Sequence, residues 1–265
     1  LLTSIFVKEN TILLDFNDAD TLVKEGRYPE AEKLYLKLIS HDANNGQAYR
    51  GLGKLALIAN MPTRAVGLLK KACHLLPNEP MPIIYLADAF NHVNSERDAL
   101  TVLEYGQKVY PTLAPLLYQL AQQQLTFGDF VNAEKSLRKV IEFGKNSIIS
   151  FALYDITRLK SFTHQDDDVT LIHSRMANNS LGTKEKIILN YALGKVSDDL
   201  GDYANAWQYY EQANKLQLTQ CTFKTSYLAD FYREIKSTAT VRLLSIKRNF
   251  INLICFVDIP TNEHD

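Results

Sequence analysis

A spacing of 34 residues runs through the first half of this chain and restricts its fold more than any other feature. Ala31, Ala65, Ala99 and Ala133 each stand 34 positions after the last, and 12 residues before each is another small residue: Ala19, Gly53, Ala87 and Ala121. A fixed period of this length marks one supersecondary unit repeated along the chain, each copy burying its apolar face only against its neighbours. Two small positions per unit predict two helices that approach closely there, since antiparallel packing needs short side chains at the contact.

The bulky positions keep the same register. Four residues after the second small position come Tyr35, Leu69, Leu103 and Leu137, and seven after it come Leu38, Ala72, Gly106 and Val140. Five before it, where the two helices must turn, stand Gly26, Asn60, Asn94 and Gly128, residue types that tolerate a left-handed backbone. Pro77 and Pro111 fall where one unit should end and the next begin. A further unit follows with Gly194, Gly201 and Ala206 in the same three roles, and Tyr210 and Ala213 after them. The step from Ala133 to Ala206 is 73, two periods plus 5. A degenerate fifth unit near 147–180 fills that space, with helices expected near Ile148 to Phe162 and Asp167 to Asn178.

This pattern resembles the tetratricopeptide repeat (TPR), with small residues at the eighth and twentieth positions, Gly or Asn in the turn and proline near the end. The resemblance implies an all-α fold: a right-handed superhelix of about six helix pairs, plus an extra helix from Phe223 to about Lys236. The chain then divides into an N-terminal fragment (1–9), the solenoid (10–218), a capping or linker helix (219–240) and a tail (241–265).

In such a solenoid the first helix of each pair lines the concave face, so the second, fifth, ninth and twelfth repeat positions meet a ligand. These include Arg50 and Lys54 in the second unit, Asp88 and Asn91 in the third, Tyr118 and Gln122 in the fourth, and Tyr191 and Lys195 in the sixth. Cations, amides and tyrosines together suit a protein or peptide segment, the amides and cations meeting its acceptors and the tyrosines supplying area. The competing reading is that each is an ordinary solvated position, with the solenoid serving as an assembly surface. The sequence leaves the oligomeric state open.

Other chemistries find little footing. With 29 basic and 30 acidic side chains the net charge is −1, which gives no reason to expect nucleic acid or a membrane surface as partner. Cys73, Cys221 and Cys255 have no CxxC or Cys/His spacing suited to zinc and read as reduced thiols. No catalytic residue, cofactor site or metal site is expected, as GxSxG, HExxH, P-loop and GxGxxG patterns are all missing. The one acidic cluster, Asp166-Asp167-Asp168 after His164, opens an expected helix, where carboxylates serve as caps. Without a signal peptide or spanning segment in the sequence, the expected location is cytoplasmic.

The sixth unit carries a more particular resemblance. Tyr191-Ala192-Leu193-Gly194-Lys195, Asp198-Asp199-Leu200-Gly201-Asp202-Tyr203, Ala206-Trp207 and Asn214 look like the last repeat of bacterial TPR-sulfotransferases. That family's repeats lead into a domain resembling protein-tyrosine sulfotransferases, which uses the donor PAPS. Ile254 to Val257 and Pro260 stand where the strand and proline of its donor loop would be. Asp258 and Thr261 to Asp265 lack the Arg, Gly and Thr-Thr of that loop. The resemblance therefore implies a repeat region with a truncated catalytic domain, and an alternative role in presenting an acceptor protein to a sulfotransferase.

Overall fold

The structure is a computed structural model, and it describes residues 16–145, 147–178 and 180–220. Among these the regular elements are all helices. Helix α1 covers 16–24 and is followed by α2 (Tyr28–His41), α3 (Gly46–Ile58), α4 (Pro62–Leu75), α5 (Met81–His92) and α6 (Glu96–Val109). The second half comprises α7 (Ala114–Thr126), α8 (Phe130–Phe143), α9 (Ser147–Thr157), α10 (Asp167–Met176), α11 (Thr183–Asp199) and α12 (Tyr203–Gln220). They form six consecutive pairs, α1/α2 to α11/α12. Among the described residues, contacts gather those up to Gln217 into one compact unit. The expected extra helix from Phe223, the 1–9 fragment and the 241–265 tail lie outside the described residues.

The small and large repeat positions interlock across each pair. Ala19, Ala31, Ala65, Ala99, Ala121 and Ala133 are completely buried, as are Leu69, Leu103 and Leu137 on the second helices. Gly53 shows why a small residue is needed opposite such a leucine, because a Cβ there would lie 2.5 Å from Leu69 Cγ. Burying each leucine contributes roughly 1.5–3 kcal/mol. The interior runs on from pair to pair: Leu68 packs against both the first and second apolar clusters, and Ile141 does the same for the last two.

Turns between paired helices follow one design. Asn60 (φ 54°) and Asn94 (φ 56°) adopt the left-handed conformation, as do Gly26, Gly128 and Gly201. After each, a backbone N–H reaches back across the turn to close the helix: Arg27 to Leu22, Met61 to Ala56, Ser95 to Phe90, Asp129 to Gln124 and Asp202 to Ser197 (2.8–2.9 Å). This satisfies a carbonyl that would otherwise be orphaned at the helix end. At Gly128 (φ 74°) a Cβ would meet nothing within 4 Å, so a substitution there tests the backbone alone. Gly128→Val is expected to lower stability by about 1–2 kcal/mol, read from a urea unfolding curve.

The fifth pair departs from the expected pattern. Helix α9 stops at Thr157 rather than continuing to Phe162. Phe162 leaves the helix because it is drawn into the core beside α11, where its N–H donates to Asp199 Oδ2 (3.0 Å). Nor do two of the three aspartates at the start of α10, Asp166 and Asp168, act chiefly as caps, while Asp167 keeps its place in the first turn. Asp166, at the N-cap position, makes no side-chain capping bond; Lys160 Nζ donates to it instead (2.7 Å). Asp168 is buried between Arg138 and Lys160. These two carboxylates are committed to basic side chains of neighbouring elements.

First helices of successive pairs touch directly, α3 with α5, α5 with α7 and α7 with α9, whereas second helices mainly contact the first helices on either side. The first helices therefore form an inner layer, and their exposed positions face a common groove. No helix among the described residues is long and apolar enough to cross a membrane.

Candidate functional site

The sequence-selected residues all lie on first helices, α3, α5, α7 and α11, and their chemistry divides along the stack. Arg50 on α3 is held from two sides. Its Nη1 donates to Glu79 Oε2 (2.8 Å) and its guanidinium lies 5.5 Å from the Phe16 ring centre. Gln47 donates to the other Glu79 oxygen, so one carboxylate fixes both side chains. Nearby, Tyr35 donates to Asp20 Oδ1 (2.6 Å). Burial pushes the Tyr35 and Tyr85 hydroxyls above the usual tyrosine range, with Asp20 adding to the shift and Arg50 opposing it. Both hydroxyls therefore remain protonated donors at neutral pH.

Three selected residues in the second and third pairs have no such commitments. Lys54 on α3 and Asp88 on α5 are partly buried and make no hydrogen bond or ion pair with other described residues. Asn91, one turn beyond Asp88, has a buried Oδ1 with no partner. A buried amide oxygen without a donor costs about 1–3 kcal/mol relative to one that is paired, so an incoming N–H there has something to gain.

Between the fourth and fifth pairs the selected side chains are partnered internally, although Gln119 Oε1 and Gln123 Oε1 on α7 are buried without a partner. Tyr118 Oη (2.8 Å) and Gln122 Nε2 (2.6 Å), both on α7, donate to Asp155 Oδ2 on α9. Arg158 Nη1 lies 3.8 Å from the other Asp155 oxygen. Asp155 is only 5% exposed. Burial raises its carboxyl above the ordinary range, while the Tyr118 and Gln122 hydrogen bonds and Arg158 pull it back. Sequence reasoning misses Asp155 as a groove residue, because the fifth unit has lost the register by which the others are placed. In the sixth pair Tyr191 donates to Asn214 Oδ1 (2.7 Å), and Lys195 pairs with Asp199 one turn along α11. Five of the eight selected residues are thus satisfied internally, and Lys54, Asp88 and Asn91 are not.

Burial pushes the half-buried Cys73 thiol up to about 11, which leaves it an unreactive protonated group at neutral pH. Among the described residues no group of three or more His, Cys, Asp or Glu side chains could hold a metal ion.

Comparison with known proteins agrees with the helix pairing. Tetratricopeptide-repeat family models match residues 16–80 and 188–220, which cover the first two pairs and most of the last. A comparison with curated protein sequences found no match. Solved structures share the fold at low identity. PilW, described as a widely conserved type IV pilus biogenesis factor, superposes with a TM-score of 0.60 at 14% identity, over 80% of this chain and 99% of its own. A thermophilic TPR protein of Thermus thermophilus gives 0.51 at 17% identity, over 76% and 98%. YrrB, described as a TPR protein with an unusual peptide-binding site, gives 0.50 at 16% identity, over 78% and 97%. These matches lend no support to the sulfotransferase resemblance, and the tail that bears on it lies outside the described residues. The register of small residues, the repeated left-handed turns and the two family-model matches together make this an all-α tetratricopeptide-repeat superhelix.

Proposed function

We propose that this chain is a protein-interaction scaffold that holds a protein or peptide segment in the inner-layer groove, chiefly against the second and third helix pairs. The observation that carries the reading is a contrast among the selected residues: Lys54, Asp88 and Asn91 lack internal partners among the described residues, while Tyr118, Gln122, Tyr191 and Lys195 have them. A cation, a carboxylate and an amide on adjacent first helices complement an extended backbone flanked by charges of both signs. Arg50 lies one turn before Lys54 on α3, its charge already held in place by Glu79, which reduces the ordering cost of binding. The peptide-binding site named for YrrB is a precedent on this fold, not evidence of the same ligand. Recognition is the whole of the proposed activity.

The test is capture of a partner from lysate by the full chain, identification by mass spectrometry, and titration of the purified partner. Lys54→Glu combined with Asp88→Lys is expected to weaken that titration about tenfold or more, since both charged contacts reverse. Tyr118→Phe with Gln122→Leu is expected to leave affinity within about twofold, because those side chains serve Asp155. Equal affinity for the parent and the charge-reversed chain, with helicity unchanged, would remove the groove assignment.

A further inference from the structure

A second concavity lies away from the groove, between second helices α6 and α8 and closed below by the end of α7. It has a volume of about 620 Å³, and every residue lining it is polar or charged. Lys108 on α6 and Lys135 and Lys139 on α8 stand around it with Arg138, against a single lining carboxylate, Glu104. Arg138 is neutralised by Asp168 and Glu134. Lys108 and Lys139 have no partner among the described residues, and Lys135 reaches only the Asn132 amide oxygen at 3.5 Å. Three ammonium groups therefore face one carboxylate.

The floor is built as well as charged. Ser136 and Gln124 are both more than nine-tenths buried, and the Ser136 hydroxyl donates to Gln124 Oε1 (2.8 Å). That bond leaves the two amide N–H groups of Gln124 as donors, beside the remaining lone pairs of the two oxygens. A depression ringed by three ammonium groups, with an amide donor at its floor, attracts oxyanions, and multiply charged ones above all. The lining contains no aromatic ring on which a nucleobase could stack. Its volume is that of a small-molecule site rather than a surface track.

We propose that this pocket binds a small, hydrophilic polyphosphate-type anion, held by Lys108, Lys135 and Lys139 and by the amide of Gln124. Its three lysines all belong to second helices, and of the first helices only α7 contributes, through Gln124, so Lys54, Asp88 and Asn91 take no part in it.

Calorimetric titration of the full chain with tripolyphosphate at about 0.15 M ionic strength tests this. The expected result is saturable binding of one molecule per chain, weakened about tenfold or more by Lys108→Gln with Lys139→Gln. Gln124→Glu keeps an oxygen for Ser136 but replaces the donor, and it is expected to weaken binding comparably. Lys24→Gln with Lys33→Gln, which removes two exposed lysines of the first pair, is expected to change nothing. The proposal is overturned if no saturable heat appears, or if the first-pair variant weakens binding as much as the pocket variants. Tighter binding of an oligoglutamate peptide than of tripolyphosphate would likewise overturn it, as it would mark an acidic-protein surface.

Discussion

Asp168→Ala is expected to lower stability by about 2–3 kcal/mol, one of the largest losses a single polar group can cause in this fold. The Asp168 side chain is 6% exposed and accepts from Arg138 Nη2 (2.8 Å) while pairing with Lys160 Nζ (2.7 Å). Its partners come from α8 and from the segment between α9 and α10, so one carboxylate ties the fourth pair to the irregular fifth. Removing one member of a buried ion pair costs about 3–5 kcal/mol when the other charge stays buried. Arg138 and Lys160 retain 41% and 28% exposure and can partly rehydrate, which puts the expectation at or below the low end of that range.

The pH dependence follows from the same geometry. Hydrogen bonds from Arg138 above all, and then from Lys160, hold the Asp168 carboxyl down to about 2. A carboxyl depressed in the folded state contributes stability that is complete above the unfolded value of about 4 and is lost as pH falls through the folded value. The difference between parent and Asp168→Ala should therefore be full at neutral pH and shrink as pH drops from about 4 towards 2. Urea unfolding of both proteins across that interval reads it directly. A difference that stayed constant would show that Asp168 acts by packing and not by charge.

How much of this is legible in the sequence depends on whether the repeat register survives. Where it does, even backbone conformation can be read: Asn60 and Asn94 fall where glycine stands in other units, which places them in turns, and both have positive φ. The same register places Lys54 and Asp88 on adjacent first helices. It cannot say which groove residues are spent internally, because Tyr118 and Gln122 meet Asp155 from a helix where the register has failed. Asp168 is legible as part of a helix start, yet its partner Arg138 lies 30 residues upstream, and no local pattern reports such a pairing. The sulfotransferase resemblance is sharpest over 188–214, inside the stretch that the repeat model matches, 188–220, so those residues are accounted for as repeat packing.

Gly51→Val should cost about 3 kcal/mol, and the reason is a close approach that composition alone would not reveal. Gly51 faces the ring of Tyr35, and a Cβ there would lie 2.4 Å from Tyr35 Cε1 and Cζ. A flexible neighbour could give way, but this ring cannot move freely. It is 1% exposed, its hydroxyl donates to Asp20 (2.6 Å), and the Phe16 ring lies 5.9 Å away. Either α3 moves off α2, opening the first interface of the stack, or the ring leaves and breaks its bond to Asp20. Overpacking costs typically about 1–3 kcal/mol, and loss of a hydrogen bond to a charged group adds about 1.5–3, so whichever route is cheaper sets the outcome near 3. A double-mutant cycle with Tyr35→Leu separates this from a generic helix effect. If the ring is the obstacle, shortening it makes room, and Gly51→Val should cost at least about 1 kcal/mol less in the Tyr35→Leu background. Equal costs in both backgrounds would place the strain elsewhere in α3. In a solenoid that gains stability from each neighbouring interface, damage at α2/α3 should also show as early loss of amide protection in the first pair, with the fourth pair still protected.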